Sequence, residues 1–202
     1  ISNEMTTKSE NDPLKESFNQ FYHLSDKSFT DLKSIFRYSH REKGEVFIRV
    51  GYRNESEYML LNGFCRSFLL NPEGEEITLS FFKQNSVLSP HITRTKEQIS
   101  LLNYQALTDV DLVEFSAAEF LNLMIENLEI RNFGNTILVN ELIRKTEKEI
   151  SFASLTAKDR LIQFRSEYGI LENLIAHPVI ASYLGITNVS FSRLRGELSK
   201  GE

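Results

Sequence analysis

Residues 175–195 read IAHPVIASYLGITNVSFSRLR, and this stretch decides the C-terminal part of the fold. A helix-turn-helix needs two short helices that meet at a steep angle, a small residue where they touch and a glycine at the turn. Ala181 and Gly185 stand at those two places. Pro178 suits the first turn of one helix, and Thr187 suits the N-cap of the next. The stretch therefore predicts a helix-turn-helix.

The second helix of this motif is predicted over residues 187–200, and its outward positions carry amide, hydroxyl and guanidinium groups. Such groups read base edges and hold phosphates. Arg193 is expected to point into the groove, and Arg195 to lie near the phosphates or to pack on its own domain. The alternative is a helical hairpin with a solvated polar face. The residues predicted to contact DNA are Thr187, Asn188, Val189, Ser190, Ser192, Arg193, Arg195 and Lys200.

The net charge of the whole chain argues against nucleic-acid binding. It has 202 residues, with 28 acidic against 23 basic side chains, a formal net charge of −5. General nucleic-acid binders are usually basic. Residues 187–200 nevertheless hold three cations, Arg193, Arg195 and Lys200, against Glu197. The case for DNA binding therefore rests on the motif and on local charge.

The first half of the chain has the pattern of an antiparallel β structure. Short apolar runs alternate with turn residues at intervals of roughly 10 residues, which indicates a sandwich or barrel. Asn62-Gly63 is a strong hairpin signal. The strands are predicted at residues 46–50, 58–61, 64–70, 77–82, 101–107 and 112–115.

Helical spacing is found on both sides of these strands. Two short helices are predicted within residues 14–38, with Ser25 or Asp26 as a cap, and Ser116 begins another. A long helix follows over about residues 129–152. It exceeds what a small domain needs, so we interpret it as a dimer-forming helix, the alternative being a core helix. The predicted seam residues are Ile130, Phe133, Ile137 and Asn140.

In this order and spacing, the motifs resemble those of the Crp–Fnr superfamily of regulators. The resemblance rests on KGE at 43–45, YMLLNG at 58–63, EGEEITLSFF at 73–82, IASYLGIT at 180–187 and SRLR at 192–195. It implies an α+β protein with three parts: an antiparallel β-roll or jelly roll of the cyclic-nucleotide-binding type (1–127), a dimerisation helix (128–152) and a winged helix-turn-helix (153–202). By position, it makes Asn188, Val189 and Arg193 the groove-facing residues.

The sequence departs from the superfamily at the nucleotide pocket. The family's Gly-Glu pair falls on Ser89-Pro90, and its Arg-Ser pair falls on Ser100-Leu101. A buried phosphate without its arginine would be an uncompensated charge. We therefore expect an effector other than cyclic AMP, in a pocket that includes Arg66, Ser89, Arg94 and Ser100. The sequence also ends at Glu202, before the wing strands that the family has after the recognition helix.

These observations predict a cytoplasmic, homodimeric transcription regulator. Its expected partners are double-stranded DNA carrying an imperfect palindrome, a second copy of the chain and an unknown small-molecule effector, with RNA polymerase as a further partner. No membrane span, cofactor, catalytic residue or metal site is expected, since Cys65 is the only cysteine and the histidines His23, His40, His91 and His177 are scattered. Two alternatives remain open: a ligand-binding β-roll without DNA activity, and a cupin-like metalloenzyme.

Overall fold

The computed structural model describes residues 12–88 and 90–199. The helices in that part of the chain are α1 Pro13–Asn19, α2 Asp26–Lys33, α3 Ala117–Glu126, α4 Leu128–Ser154, α5 Ala157–Tyr168, α6 Leu171–Leu174, α7 His177–Leu184 and α8 Asn188–Ser199. The strands are β1 Arg37–Arg41, β2 Val46–Ile48, β3 Ser56–Asn62, β4 Cys65–Leu70, β5 Glu76–Phe82, β6 Ser86–Leu88, β7 Asn103–Ala106 and β8 Val110–Ser116, with a 3₁₀ helix at Pro90–Thr93.

The strands form two four-stranded sheets whose pairings are antiparallel. The first sheet has the order β1-β8-β3-β6, and the second has the order β2-β7-β4-β5. Side chains alternate across the first sheet, because successive residues of a strand point to opposite faces. Tyr58 and Leu60 thus enter the core between the sheets, together with Cys65, whereas Met59 packs on the outer face. This arrangement confirms the predicted β-roll.

The prediction of a hairpin at Asn62-Gly63 is wrong. Strand β3 belongs to the first sheet and β4 to the second, so the turn crosses between the sheets and does not join paired strands. Gly63 has a φ of 85°, and a Cβ there would lie 2.4 Å from the carbonyl oxygen of Asp109. The Phe64 amide donates to the Thr108 hydroxyl at 3.0 Å. The glycine is needed for this close approach of two turns.

The outer face of the first sheet is covered by α1 to α4, and three residues assigned to a dimer seam lie there. Ile130 and Phe133 are fully buried and Ile137 is 7% exposed, in a cluster with Phe18 and Met59. These residues are part of the subunit's own core, so the predicted seam is corrected at these positions. Asn140, the fourth predicted seam residue, is exposed.

Helix ends follow the side chains that the sequence offers as caps. The hydroxyls of Ser25 and Ser116 accept hydrogen bonds from backbone amides in the first turns of α2 and α3. Thr156 and Asp159 form a reciprocal capping box at the start of α5. Asn127 caps α4 through the amides of Glu129 and Ile130. Within the described residues, no helix is both long and apolar enough to cross a membrane.

The outer face of the second sheet is covered by the C-terminal helices, and Phe81 is the centre of that contact. Its ring is 1% exposed and lies 4.8 Å from the ring of Tyr183, 5.7 Å from that of Tyr168 and 5.8 Å from that of Phe164. The Tyr168 hydroxyl donates to the carbonyl oxygen of Phe81 at 3.2 Å. One core thus belongs to both halves of the chain.

Replacing this ring tests the shared core. We expect Phe81→Ala to lower the free energy of unfolding by about 3–5 kcal/mol, because it removes a buried ring and leaves a cavity between the halves. The matched control is Leu70→Ala on the neighbouring strand, where the side chain is 55% exposed; its loss should stay below about 1 kcal/mol. Urea unfolding followed by circular dichroism measures both. Equal losses in the two variants would contradict a shared core.

Candidate nucleic-acid interface

Helices α7 and α8 form the predicted helix-turn-helix. Ala181, 2% exposed, sits at the contact between the helices, and Ile180, Leu184 and Phe191 are buried beneath it. Gly185 ends α7 in the left-handed conformation, with a φ of 68°. Thr187 caps α8, since its hydroxyl oxygen accepts from the Ser190 amide at 3.1 Å. The turn and the cap fix the direction in which α8 leaves the domain.

The turn is also held from outside the motif. A Cβ on Gly185 would lie 2.6 Å from the ring of Phe152, near the end of α4. The guanidinium of Arg160 donates to the carbonyl oxygen of Leu184 at 3.1 Å and to that of Leu155 at 2.8 Å. The long helix and the helix-turn-helix are therefore in direct contact at the turn.

One side of α8 is open to solvent. Thr187, Asn188, Ser192 and Arg193 are exposed, and Val189 is 81% exposed. Ser190 is half-buried, and its hydroxyl accepts a hydrogen bond from the hydroxyl of the capping Thr187 at 3.0 Å. The side chain of Arg193 is 71% exposed, with only a long 3.7 Å ion pair to Glu197 one turn later. This face presents an amide, hydroxyls and an exposed cation, the groups that suit contact with base edges and phosphates.

Arg195 lies on the other side of α8. Its Nε donates to Glu172 at 2.6 Å, and its guanidinium lies 5.8 Å from the centre of the Phe191 ring. Hydrogen bonds from Arg165, at 2.8 and 2.9 Å, and from Arg195 lower the pKa of the Glu172 carboxyl. Of the two positions expected for Arg195, the structure has the one against its own domain, so its inclusion among the DNA contacts is corrected.

A periodicity in the sequence could have placed Arg195 correctly. It follows Phe191 by four residues, and positions four apart lie on the same helix face. Leu194 and Leu198 border the same face and pack into the domain core. Lys200, the last residue predicted to contact DNA, lies outside the described residues.

The N-terminal end of α8 opens onto a groove that it shares with the second sheet. Glu75 and Glu76 line one wall of this groove, and Thr187, Asn188 and Ser190 line the other. The Ser182 hydroxyl on α7 donates to the Thr78 hydroxyl at 3.0 Å, which holds the two walls together. Two carboxylates thus lie near a helix end that otherwise favours anions.

The predicted effector pocket is not formed as a single site. Arg66 is on β4 in the second sheet and lines the groove beside α7 and α8. Its guanidinium is bound to Gln105 at 2.8 Å, to Thr78 at 3.1 Å and to Glu76. This arginine is 3% exposed and its charge is already compensated.

Arg94 lies against the first sheet instead. It follows the 3₁₀ helix, forms an ion pair with buried Glu57 and donates to the carbonyl oxygens of Asn54 and Ser56 at 3.1 Å. It lines a different cavity, bordered by α3 and α4. Ser100 pairs with the Arg94 backbone, and its hydroxyl donates to the Leu102 carbonyl at 2.7 Å. The two arginines are separated because Arg66 is on a strand of the second sheet, whereas Arg94 lies in a loop that packs against the first sheet. Ser89 lies outside the described residues.

Residues 12–88 and 90–199 contain no candidate metal site: no three histidine, cysteine or carboxylate side chains come together in a group that could hold an ion. Cys65 is buried between the sheets, and burial raises the pKa of its thiol to about 12. Cys65 is therefore a small core residue.

Comparison with known proteins agrees with this architecture. Residues 39–127 match the family described as the cyclic nucleotide-binding domain. The global nitrogen regulator of Synechococcus elongatus is 26% identical over 175 residues, which cover 80% of this chain and 78% of that protein. FixK2 from Bradyrhizobium japonicum has a TM-score of 0.71 at 17% identity, over 83% of this chain and 86% of that one.

A transcriptional regulator structure of the Crp/Fnr family from Eubacterium rectale has a TM-score of 0.70 at 18% identity, over 88% of this chain and 85% of that one. These findings confirm the resemblance to the Crp–Fnr superfamily and the α+β fold class, with a β-roll followed by a helical region. At identities of 17% and 18%, the likeness to these solved structures shows the fold alone.

The two glycines of the motif provide a matched pair of variants. We expect Gly185→Ala to destabilise the protein by about 1–3 kcal/mol, because a left-handed backbone and the Phe152 ring both oppose a Cβ. Gly196 lies within α8, is exposed and has no atom within 4 Å of a new Cβ. Gly196→Ala should therefore stabilise by about 0.5–1 kcal/mol. Thermal unfolding of both variants checks the signs; a stabilised Gly185→Ala would refute this geometry of the turn.

Proposed function

We propose that this chain is a homodimeric transcription regulator of the cytoplasm that binds double-stranded DNA through α8. The observation that carries the proposal is the solvent-exposed face of α8, on a capped helix held rigidly by a buried core. The resemblance to the Crp–Fnr superfamily supports it. An effector other than cyclic AMP and a contact with RNA polymerase complete the proposal.

Recognition follows from the groups on that face. The amide of Asn188 can bond both edge atoms of an adenine, and the guanidinium of Arg193 can bond a guanine or a phosphate. Thr187 and Ser192 contribute hydroxyls, and Val189 can contact a thymine methyl group. Because Arg193 is mostly exposed and its pair with Glu197 is long, reorienting its side chain costs little.

The proposed dimer uses an exposed face of α4 in place of the buried residues first assigned to it. The helix has 27 residues, so it is about 40 Å long. Leu142 is 66% exposed, Val139 54% and Ile150 58%. Their spacing places them along one side of the helix, which in a long helix suits pairing with its copy about a two-fold axis. The proposed seam residues are Leu138, Val139, Leu142, Ile143 and Ile150.

The proposed effector is not cyclic AMP because the charges that could hold its phosphate are compensated. Arg66 is bound to Glu76, and Arg94 is bound to Glu57. A phosphate would have to displace a carboxylate from a buried guanidinium, which is costly. Millimolar cyclic AMP should therefore leave the melting temperature unchanged, since only a ligand that binds the folded state raises it.

Arg193 provides the test of DNA reading. We expect Arg193→Ala to weaken binding to the best selected operator by about 1–3 kcal/mol and to relax base preference at one symmetric pair of positions. The matched control is Lys96→Ala, which removes one exposed cation from the β-roll. Fluorescence anisotropy against the selected and a scrambled duplex measures both. Equal affinity of the wild type for the two duplexes would refute sequence-specific reading.

Two double variants distinguish the proposed dimer seam from the core of the subunit. Val139→Asp with Leu142→Asp should yield folded monomers, because the charges lie on an exposed face. Phe133→Asp with Ile137→Asp should unfold the chain instead, because it places charges in the core. Sedimentation velocity and circular dichroism distinguish these outcomes. If the exposed-face variant sediments as the wild type does, the dimer uses another surface.

A further inference from the structure

A cavity of about 410 Å³ lies where α4 passes between the second sheet and the helix-turn-helix domain. Leu79 and Ser80 of β5 form one wall, and residues of α4, α5 and α7 form the others. This cavity is separate from the groove that contains Arg66 and from the cavity that contains Arg94. Its walls come from both halves of the chain, so its contents affect how the halves fit together.

Two of the cations that line the cavity are bound to backbone carbonyls and aromatic rings. The ammonium group of Lys148 donates to the Leu79 carbonyl and lies 4.1 Å from the centre of the Tyr183 ring. The guanidinium of Arg160 bonds the carbonyls of Leu184 and Leu155 and lies 4.8 Å from the Phe152 ring centre. Among the described residues, neither cation forms an ion pair with a carboxylate.

The other charges of the cavity differ from this pair. Arg144 and Lys145 are both paired with Glu141, at 2.7 and 3.7 Å. The carboxylates of Glu147, Glu149 and Glu167 line the cavity from exposed positions, whereas Lys148 is half-buried. These three carboxylates disfavour a large polyanion. A single negative group could still reach the unpaired cations farther inside.

The walls also select for an apolar body. The rings of Phe152, Phe164, Tyr168 and Tyr183 all line the cavity. Flat faces of this kind stack on rings and exclude water, while a few charged groups fix the orientation of a ligand. The volume is within the usual range for small-molecule sites of about 300–1,000 Å³.

We propose that this cavity is an effector site for a small organic anion with a ring-containing body, held by Lys148 and Arg160. The inference rests on the proposed regulatory function, and it names the class of effector and the place where it acts. An anion that draws Arg160 toward it competes with the carbonyls of Leu184, beside the helix-turn-helix turn, and of Leu155, at the junction of α4 and α5. Occupancy therefore changes how α7 and α8 are held against α4.

The protonation of Lys148 gives this site a measurable signature. Burial, together with the smaller effect of the positive charges of Arg144 and Lys145, lowers the pKa of Lys148 to about 8. A bound anion favours the charged ammonium and raises the pKa again. Binding at about pH 8 should therefore take up protons, and the affinity should fall as the pH rises above the free-state pKa.

The test is calorimetric titration of the full chain with four probes. Benzoate and phenyl phosphate carry both a ring and a negative group, inorganic phosphate lacks the ring, and benzyl alcohol lacks the charge. We expect the two ring-bearing anions to bind more tightly than the other two probes, with a heat at pH 8 that depends on the ionisation enthalpy of the buffer. No binding of either ring-bearing anion at millimolar concentration, or equal affinity for benzyl alcohol, would overturn the proposal.

Four variants locate the site. Lys148→Met and Arg160→Met should each raise the dissociation constant about tenfold, because each removes a charged hydrogen-bond donor. Lys158→Met is the matched control: it removes an exposed cation from the same helix as Arg160, outside the cavity, and should leave the constant unchanged. Lys148→Arg keeps the charge and should retain most of the affinity. Unchanged binding in both methionine variants would refute the assignment.

Failure of this site and failure of the regulatory function give different results. Binding of wild-type protein to a selected duplex without any probe tests DNA recognition alone. Ring-anion binding measured without DNA tests the cavity alone. Melting curves of each variant verify that the chain is folded, so a lost heat of binding reports on the site.

Discussion

The ring of Phe81 fills the space between the second sheet and the C-terminal helices, where Phe164, Tyr168 and Tyr183 surround it. Several other features depend on this contact. Near this contact, the Ser182 hydroxyl reaches Thr78, and Lys148 of α4 donates to the carbonyl of Leu79 on the same strand as Phe81. The groove beside α8 and the cavity beside α4 both lie between the two halves that meet at this ring. The geometry of these two proposed sites therefore depends on how the two halves of the chain pack together.

Charge in this chain is mostly compensated locally, and this shapes what each site can bind. Arg66 and Arg94, the two arginines expected in the effector pocket, are both buried, and each is bound to a glutamate. Arg195 is held by Glu172, which Arg165 holds as well. Among the described residues, the cations that remain available to partners include Arg193 on α8 and the pair Lys148 and Arg160 in the cavity. An acidic chain can in this way present local positive charge to an anion.

The sequence predicted features that depend on nearby residues. The caps Ser25 and Ser116, the turn at Gly185 and the length of α4 all follow from local chemistry. It did not predict β1 or β6: β1 is a polar edge strand and β6 has only three residues, so neither has a clear apolar pattern. The hairpin at Asn62-Gly63 failed because pairing is decided by the packing of two sheets, which a two-residue signal does not contain.

The errors at the proposed sites have a similar origin. The apolar spacing of Ile130, Phe133 and Ile137 marks a buried helix face, but it does not say whether the subunit or a second copy buries it. Only contacts with Phe18 and Met59, distant in the chain, decide this. Arg195 differs from this case, because its spacing of four from Phe191 already indicates the inner face of α8; only its partner Glu172, on another helix, is not indicated locally. Likewise, nothing local links Lys148 with Arg160, which the fold brings to one cavity.

The shared core has a consequence for protein engineering. Regulators of this architecture invite the construction of hybrids in which one sensor is joined to another DNA-reading domain at the end of the long helix. Here such a junction would cut through a common core, leaving Phe81 exposed on one part and an unfilled pocket of aromatic rings on the other. A working hybrid would have to carry over the facing surfaces of both parts. The two halves are separate in the order of their helices and strands, but they share one hydrophobic core.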